Sequence, residues 1–389
     1  MNDAVIVSAV RTPIATAFKG TLRDTPAETL ATLVVTEALQ RSGLDPAVID
    51  DVILAESQYG GGDLARYAAV AAGLTTVPGQ AVNRHCAGSL TAVGNAAAGI
   101  RSGMEQAVIA GGAHSYSMAP QQLWRVPGQD EPRTGIAPTF PYHDGANDDV
   151  TISVGWNTCR EVGLSREEID GWALRSHQRA IAAIDAGLFE EEIIPVKVTQ
   201  PDGSIVEFAV DEHPRRNSSM ERLAGLKPLH PEIEGFSITA GNASGVNDAA
   251  AALILVSSSL AAEHGLVPLA RVRAWGAVGV APERTGMGGV EAIPLVLRRA
   301  GLSVDDVDIW EINEAFAPVP LAACRVLGIS EEKVNIHGSG CSLGHPIAAS
   351  GARMLTTLAY ELRRRGGGIA VASMCAAGGQ GGAVVIESV

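Results

Sequence analysis

The stretch SGLDPAVIDDVILAE, from Ser42 to Glu56, closes a helix at Gly43, turns through acidic residues and enters an apolar run. Glycine past a helix end accepts the left-handed backbone that stops the helix, and a short Val/Ile/Leu run between turn signals reads as a buried strand. In the last third of the chain AGLSVDDVDIWEINE, from Ala300 to Glu314, follows the same grammar. An internal duplication of one α/β unit is the economical explanation.

Working outward, Ala4 to Val10 reads as a strand, and Thr25-Pro26-Ala27-Glu28 as a capping box opening the helix that Gly43 ends. Val52 to Ala55, Ala81 to Asn83 and Gln106 to Ala110 read as strands around an Ala/Gly-rich helix from Ser89 to Ser102. The later copy continues with a helix from about Ile347 to Arg365 and a strand from Ile369 to Met374. Such alternation predicts βαβ units around a largely parallel sheet. Gln121 to Asn157, rich in Pro, Gly, Asp and Trp, reads as loop, and Ser165 to Asp185 as a capped helix ended by Gly187. Ala119 to about Asn242 is thus expected to be an insertion or lid.

At 389 residues the chain exceeds what one hydrophobic core organises, so two or three domains or one composite body are expected. Hydrophobic residues make up 46% but aromatics only 4%, with 44 glycines, which suits tightly packed α/β layers. A net charge of −14 argues against a general nucleic-acid binder. An anionic ligand would need a local patch; Arg215, Arg216, Arg222 and Lys227 supply one, or else form a solvated face. The five cysteines, Cys86, Cys159, Cys324, Cys341 and Cys375, form no Cys-x-x-Cys pair, so neither zinc nor a disulfide framework is expected. With no signal peptide and no apolar run long enough to span a bilayer, a reducing cytoplasm is the expected home.

Cys86 lies between a strand and the Ser89 to Ser102 helix. Free N–H groups at a helix start favour thiolate, a nucleophile's setting, although a lone cysteine can equally be apolar filler. His345 in Gly344-His345-Pro346 and Cys375 in Met374-Cys375-Ala376-Ala377-Gly378-Gly379 occupy comparable junctions, where ligands meet open α/β sheets. Asn313-Glu314-Ala315-Phe316 ends the strand that starts at Ile309. Gly340-Cys341-Ser342-Leu343-Gly344 matches the serine-hydrolase elbow, but the only histidine after Ser342 is His345, three residues on, and that fold needs an acid and then a histidine downstream.

Taken in order, the segment Asn83 to Ser89, TAGNASG from Thr239, NEAFA from Asn313, GHP from Gly344 with SGAR from Ser350, and SMC followed by GGQG from Ser373 resemble the thiolases. SREEIDGWALRSHQRA from Ser165 resembles that family's insertion, so the resemblance covers nearly the whole chain. It implies duplicated α/β halves in a layered αβαβα body: residues 1–118 with about 243–268, residues 269–389, and an inserted loop domain at 119–242. It also implies an acyl-CoA acyltransferase in which Cys86 is the nucleophile and His345 takes its proton. Cys375 would be the acid and base, and Asn313 would hold a water that stabilises an enolate. Backbone N–H groups of Cys86 and Ala377 would form an oxyanion hole. Ala243, Ser244, Ala315 and Phe316 match positions along the coenzyme A tunnel, and Arg215 falls near the nucleotide end. Coenzyme A and acyl-CoA are the implied substrates with no permanent cofactor or metal, and a homodimer or homotetramer the implied assembly.

Where the family reads Cys-Ser/Ala-Ser-Gly this chain has Cys86-Ala87-Gly88-Ser89, and where it reads Cys-Ile-Gly-Gly-Gly this chain has Cys375-Ala376-Ala377-Gly378-Gly379. Ala377 must present its N–H where the family uses glycine, which an unusual φ would oppose. Thr151 to Asn157 and Gly111 to Ser117 also depart from the short-chain pocket pattern, so a different or bulkier acyl group is expected. The alternatives are a ketoacyl-synthase-like condensing enzyme, and a thiolase-like protein that binds coenzyme A with little catalysis.

Overall fold

The computed structural model describes residues 3–135, 137–141, 148–199 and 203–389. Its strands in chain order are β1 (Ala4–Arg11), β2 (Ala15–Thr16), β3 (Asp51–Ala55), β4 (Gly79–Val82), β5 (Ala107–His114), β6 (Leu123–Trp124), β7 (Arg133–Thr134), β8 (Val196–Thr199), β9 (Ile205–Phe208), β10 (Asn247–Ser257), β11 (Ala270–Gly279), β12 (Ile309–Ile312), β13 (Ile369–Ala376) and β14 (Gln380–Glu387). The helices are α1 (Ala27–Ser42), α2 (Leu64–Ala71), α3 (Gly88–Ser102), α4 (Asn157–Val162), α5 (Arg166–Asp185), α6 (Met220–Ala224), α7 (Ser258–Glu263), α8 (Met287–Ala300), α9 (Pro318–Leu327), α10 (Gly340–Leu343) and α11 (Ser350–Arg365).

The duplication is written into the sheet. One half runs β3-β5-β10-β1 and the other β12-β13-β14-β11, each with one parallel pairing followed by two antiparallel ones. β4 adds a parallel edge to the first half, Val334 makes a parallel bridge at the same edge of the second, and β1 and β11 join the halves. The sheet is therefore mixed rather than largely parallel. The Gly378-Gly379 turn, at φ +79° and +76°, reverses the chain between β13 and β14, and such a tight reversal compels antiparallel pairing.

Alternate residues of each strand face opposite sides and define the layers. In β10, Ile254 and Val256 join the core under α1 and α2, whereas Leu253 and Leu255 join the core of α3 and α11. In the second half, Val371 and Val385 face α8 and α9, whereas Ala370 and Ile386 face α3 and α11. The result is five layers, helices outside, a half-sheet on each side, and α3 with α11 sealed between them.

Several local expectations shift. Pro26 holds the N-cap backbone itself and no side chain caps α1, so the Thr25 capping box does not form. The expected helix from Ile347 begins at Ser350. The expected loop from Gln121 to Asn157 contains the short β6–β7 hairpin and turns helical from Thr151, continuing into α4; its residues 136 and 142–147 lie outside the described residues. The Ser165–Glu168 capping box of α5 forms as expected.

Between β5 and β10 the chain leaves the sheet and returns over its edge, anchored by charge. Arg11, at the end of β1, donates to Glu192 Oε1 at 2.6 Å and to both Asp211 oxygens at 2.8 and 2.9 Å, all fully buried. Removing one member of such a set strands the others without water, a cost of about 3–5 kcal/mol.

The inner helices meet at backbone distance. A Cβ on Gly351 would lie 2.7 Å from the Leu90 backbone nitrogen, and the Ala352 N–H donates to Ser89 Oγ at 3.0 Å. Gly351→Ala must push α3 and α11 apart at their N-termini, and is expected to lower stability by about 1–3 kcal/mol. Gly171, mid-helix in α5 with open space around it, should gain about 0.5–1 kcal/mol on the same change. Urea unfolding of both variants checks the contrast; two effects of the same sign would contradict the close approach.

Candidate active site

Strand β4 ends at Val82, and the chain then coils through a tight turn, His85–Ala87, before α3 begins at Gly88. Asn83 Oδ1 accepts the His85 N–H at 2.9 Å and shapes the turn. Gly88 has no room for a side chain, since a Cβ would come within 2.9 Å of Ala55 Cβ at the end of β3. Cys86 is thus presented half-buried ahead of the helix. Burial pushes its thiol up to about 11, only partly offset by the backbone N–H groups of Ala377 and Cys86 facing the sulfur. The expectation that the helix start favours thiolate is therefore corrected: at rest desolvation outweighs the dipole, and the thiol needs a base.

His345 and Cys86 line one cavity. Gly344 turns at φ +104°, against the Asn247 amide, whose Oδ1 accepts the His345 N–H at 2.9 Å. Ser350 Oγ donates to Pro346 O at 2.9 Å and so faces His345 Nδ1, at 2.7 Å, as an acceptor. Nδ1 then carries the proton, and Nε2, buried without a partner, presents a lone pair. Burial, reinforced by His114 and Arg353, holds the imidazole neutral, its pKa lowered to about 3.

Asn313 follows β12, with its Nδ2 3.4 Å from His345 Nδ1 and its Oδ1 buried without a protein partner. Next to it Glu314, fully buried, accepts from Trp172 Nε1 at 2.8 Å, Ser176 Oγ at 2.6 Å, Asn335 Nδ2 at 2.8 Å and the Cys341 N–H at 3.0 Å. Four donors on one carboxylate fix the segment that carries Asn313. Ser342, the elbow-like serine, is buried in the same network against Ser176 Oγ at 2.7 Å, a packing role.

Cys375 lies one residue before the end of β13, with α8 pressed so close that a Cβ on Gly289 would lie 2.9 Å from the Cys375 nitrogen. Burial, and then the neighbouring Cys86, push its thiol far above the ordinary range. Left-handed backbone in the following turn falls on Gly378 and Gly379 rather than Ala377, so an alanine fits there without strain.

All of this opens on one cavity of about 1030 Å³. Cys86, His345, Cys375, Ala377, Arg215, Ala243, Ser244, Ala315 and Phe316 line it, while Asn313 sits behind His345. Ala243 bridges to Phe316, and Ser244 N–H donates to Ala315 O at 2.9 Å, so these four expected positions form one wall. The basic patch divides: Arg215 faces the cavity with Lys19, Arg216 pairs with Asp185 at 2.8 Å, and Arg222 and Lys227 do not line the cavity. Both departing segments reach it, through Tyr116, Thr151, Ser153 and Val154. Sequence reading passed over Ser57, Gln58 and Thr139, which also line it; only the position of Ser57 and Gln58 after a strand parallel to the one before Cys86 could have signalled them.

Comparison with known proteins gives a consistent likeness. Residues 4–259 match the model of the thiolase N-terminal domain and residues 266–388 that of the thiolase C-terminal domain. The chain is 41% identical to the acetyl-CoA acetyltransferase of Escherichia coli, covering 100% of this chain and 99% of that protein. It is also 41% identical to the beta-ketoadipyl-CoA thiolase of Pseudomonas aeruginosa, covering all of both. The crystal structure of the Bacillus anthracis acetyl-CoA acetyltransferase superposes with a TM-score of 0.91 at 38% identity, covering 100% of this chain and 99% of the other. Human mitochondrial 3-ketoacyl-CoA thiolase superposes at 0.88 with 35% identity and the same coverage.

A thiol held near 11 without a fixed charge partner has a specific signature. Alkylation of Cys86 by iodoacetamide in the free protein should rise about tenfold per pH unit from pH 7 to 9 without levelling, as thiolate grows. Peptide mass mapping of the modified cysteine reads it out, and a plateau below pH 8 would contradict the assignment.

Proposed function

This chain belongs to the thiolase family and is an acyl-CoA C-acyltransferase, and from that premise we propose that Cys86 carries the acyl group through a reversible Claisen condensation or its thiolytic reverse. The observation that carries the residue roles is the convergence of the Cys86 sulfur, the unpartnered His345 Nε2, the Cys375 thiol and the Ala377 N–H on one cavity.

As Cys86 attacks the thioester carbonyl, its proton passes to His345 Nε2, and the new oxyanion rests on the N–H groups of Cys86 and Ala377. The carbon–sulfur bond to coenzyme A breaks, and coenzyme A leaves as the thiol with that proton. In condensation Cys375 removes the α-proton of a second acyl-CoA; the enolate oxygen is stabilised by His345 and by a water on Asn313, and the enolate carbon attacks the Cys86 thioester, whose acyl carbon–sulfur bond breaks to release 3-ketoacyl-CoA and the Cys86 thiolate, which regains the proton taken up by Cys375. In thiolysis Cys375 activates the incoming coenzyme A thiol instead. Coenzyme A lies along the Ala243, Ser244, Ala315 and Phe316 wall, with Arg215 toward its nucleotide end. No permanent cofactor or metal enters this scheme.

The division into residues 1–118 with 243–268, the insertion 119–242, and residues 269–389 belongs to the same reading. So do a role in fatty acid and lipid metabolism, a cytoplasmic setting and a homodimer or homotetramer. The assembly is supported by the edge strand β4, with half-exposed Ala81 and Val82 beside the Cys86 turn, and by exposed Leu123 on the β6–β7 hairpin. Among the described residues no helix is long and apolar enough to cross a membrane. Similar proteins are named for acetyl-CoA and for beta-ketoadipyl-CoA, so the acyl group is not set by family alone. The altered pocket segments support one other than acetyl.

Intact mass after brief exposure to acyl-CoA tests the assignment. An acyl adduct is expected on the native protein and on Cys375→Ser but not on Cys86→Ser, and His345→Ala should slow its formation by about 10²–10⁴-fold. Absence of any adduct on the native protein defeats the catalytic reading, and turnover that survives Cys375→Ser favours a synthase-like enzyme.

A further inference from the structure

Three cavity-lining residues that are not glycine adopt left-handed backbone: Phe18 at φ +67°, Gln58 at +58° and His85 at +44°. Only two others among the described residues do so, Asp63 and Asn335. Strain of this kind persists where surrounding structure enforces it, and it clusters at ligand sites. Here it turns two polar side chains toward the space beside Cys86.

Topology explains the placement. β4, β3 and β5 are adjacent parallel strands, and their carboxyl ends deliver His85, then Ser57 and Gln58, then Tyr116, in sheet order. The Glu56 N–H donates to Val82 O at 3.1 Å, so the first two segments leave the sheet side by side. Neighbouring strands lie about 4.8 Å apart, which sets this wall one to two strand spacings from the nucleophile's turn. Thr139 closes it from the other side: its Oγ1 lies 3.2 Å from His85 Nε2, and its methyl packs on the Gly378 turn that carries Ala377. Burial keeps His85 neutral, so its ring serves as a hydrogen-bonding group rather than a cation. An aliphatic acyl chain lying against this wall would cover polar atoms without replacing their hydrogen bonds, which is unfavourable.

We propose that Ser57, Gln58, His85, Tyr116 and Thr139 form a hydrogen-bonding wall for the acyl group on Cys86, selecting acyl groups that bear an oxygen function at their far end. This rests on Cys86 being the acyl carrier. Acylation forms the Cys86 sulfur–acyl carbon bond, breaks the acyl carbon–sulfur bond of the thioester, and releases coenzyme A with the proton passed through His345. The distal oxygen takes no part in bond making.

The test compares rates of coenzyme A release on acylation by butanoyl-CoA, 4-hydroxybutanoyl-CoA and succinyl-CoA, which share four acyl carbons, with acetyl-CoA as a reference that has no chain beyond its α-carbon. Native protein should accept the hydroxyl or the carboxylate form about tenfold faster than butanoyl-CoA. The faster of the two identifies the oxygen function. In His85→Leu and in Thr139→Val the ratio should fall toward one. Butanoyl-CoA reacting as fast as both oxygenated thioesters, or a ratio that survives both substitutions, overturns the proposal while acylation by acetyl-CoA leaves the acyl-carrier reading intact. Failure of all four thioesters to acylate Cys86 overturns that parent reading and the wall with it.

Discussion

The contact on which the site depends is the approach of α3 and α11 at their N-terminal ends. Cys86 lies just ahead of α3 and His345 in the loop before α11, and the two line one cavity where Gly351 lets one backbone approach the other. The Ser89 acceptor for Ala352 N–H fixes the register of that meeting. Each helix is held in turn by a half-sheet, and the halves are joined through β1 and β11. Duplication thus supplies two equivalent helix starts, and the packing between the copies makes them one site. The buried pair of Glu311 on β12 with Arg353 on α11 ties the Asn313 strand to the same helix.

Sealing those helix starts inside the protein has an electrostatic consequence. Desolvation disfavours every charged form, so Cys86 rests as a thiol, His345 as a neutral imidazole and Cys375 as a thiol. The three groups therefore carry no charge of their own until an acyl thioester supplies a carbonyl on which negative charge can develop. The same cavity reconciles a strongly acidic chain with an anionic substrate, because Arg215 and Lys19 bring positive charge to its lining.

Much of this was legible in the sequence. The alikeness of Ser42 to Glu56 and Ala300 to Glu314 foretold matching half-sheets, and of the ordered Cys, Asn, His and Cys motifs the two cysteines and His345 line one cavity, with Asn313 beside His345. Strand direction was not legible, because a buried apolar run looks the same in parallel and antiparallel pairing; the Gly378-Gly379 reversal decides it for β13 and β14 alone. Nor was the protonation state of Cys86: a helix start argues for thiolate, but depth of burial is a tertiary property and here outweighs it. The residues of the proposed wall stayed hidden for a related reason, since Ser57, Gln58 and Thr139 carry no motif and reach the cavity of Cys86 only through tertiary structure, the first two by sheet order and Thr139 by a loop that meets His85.

The most direct test of the central claim, that the helix contact builds an acyl-cysteine site from Cys86, His345 and Ala377, is a crystal structure of Cys375→Ser protein trapped after acylation. The expected result is a thioester on Cys86 Sγ, its carbonyl oxygen within hydrogen-bond reach of the Cys86 and Ala377 N–H groups, and His345 Nε2 facing the sulfur. An acyl group on another residue, or a carbonyl turned away from both N–H groups, would contradict it.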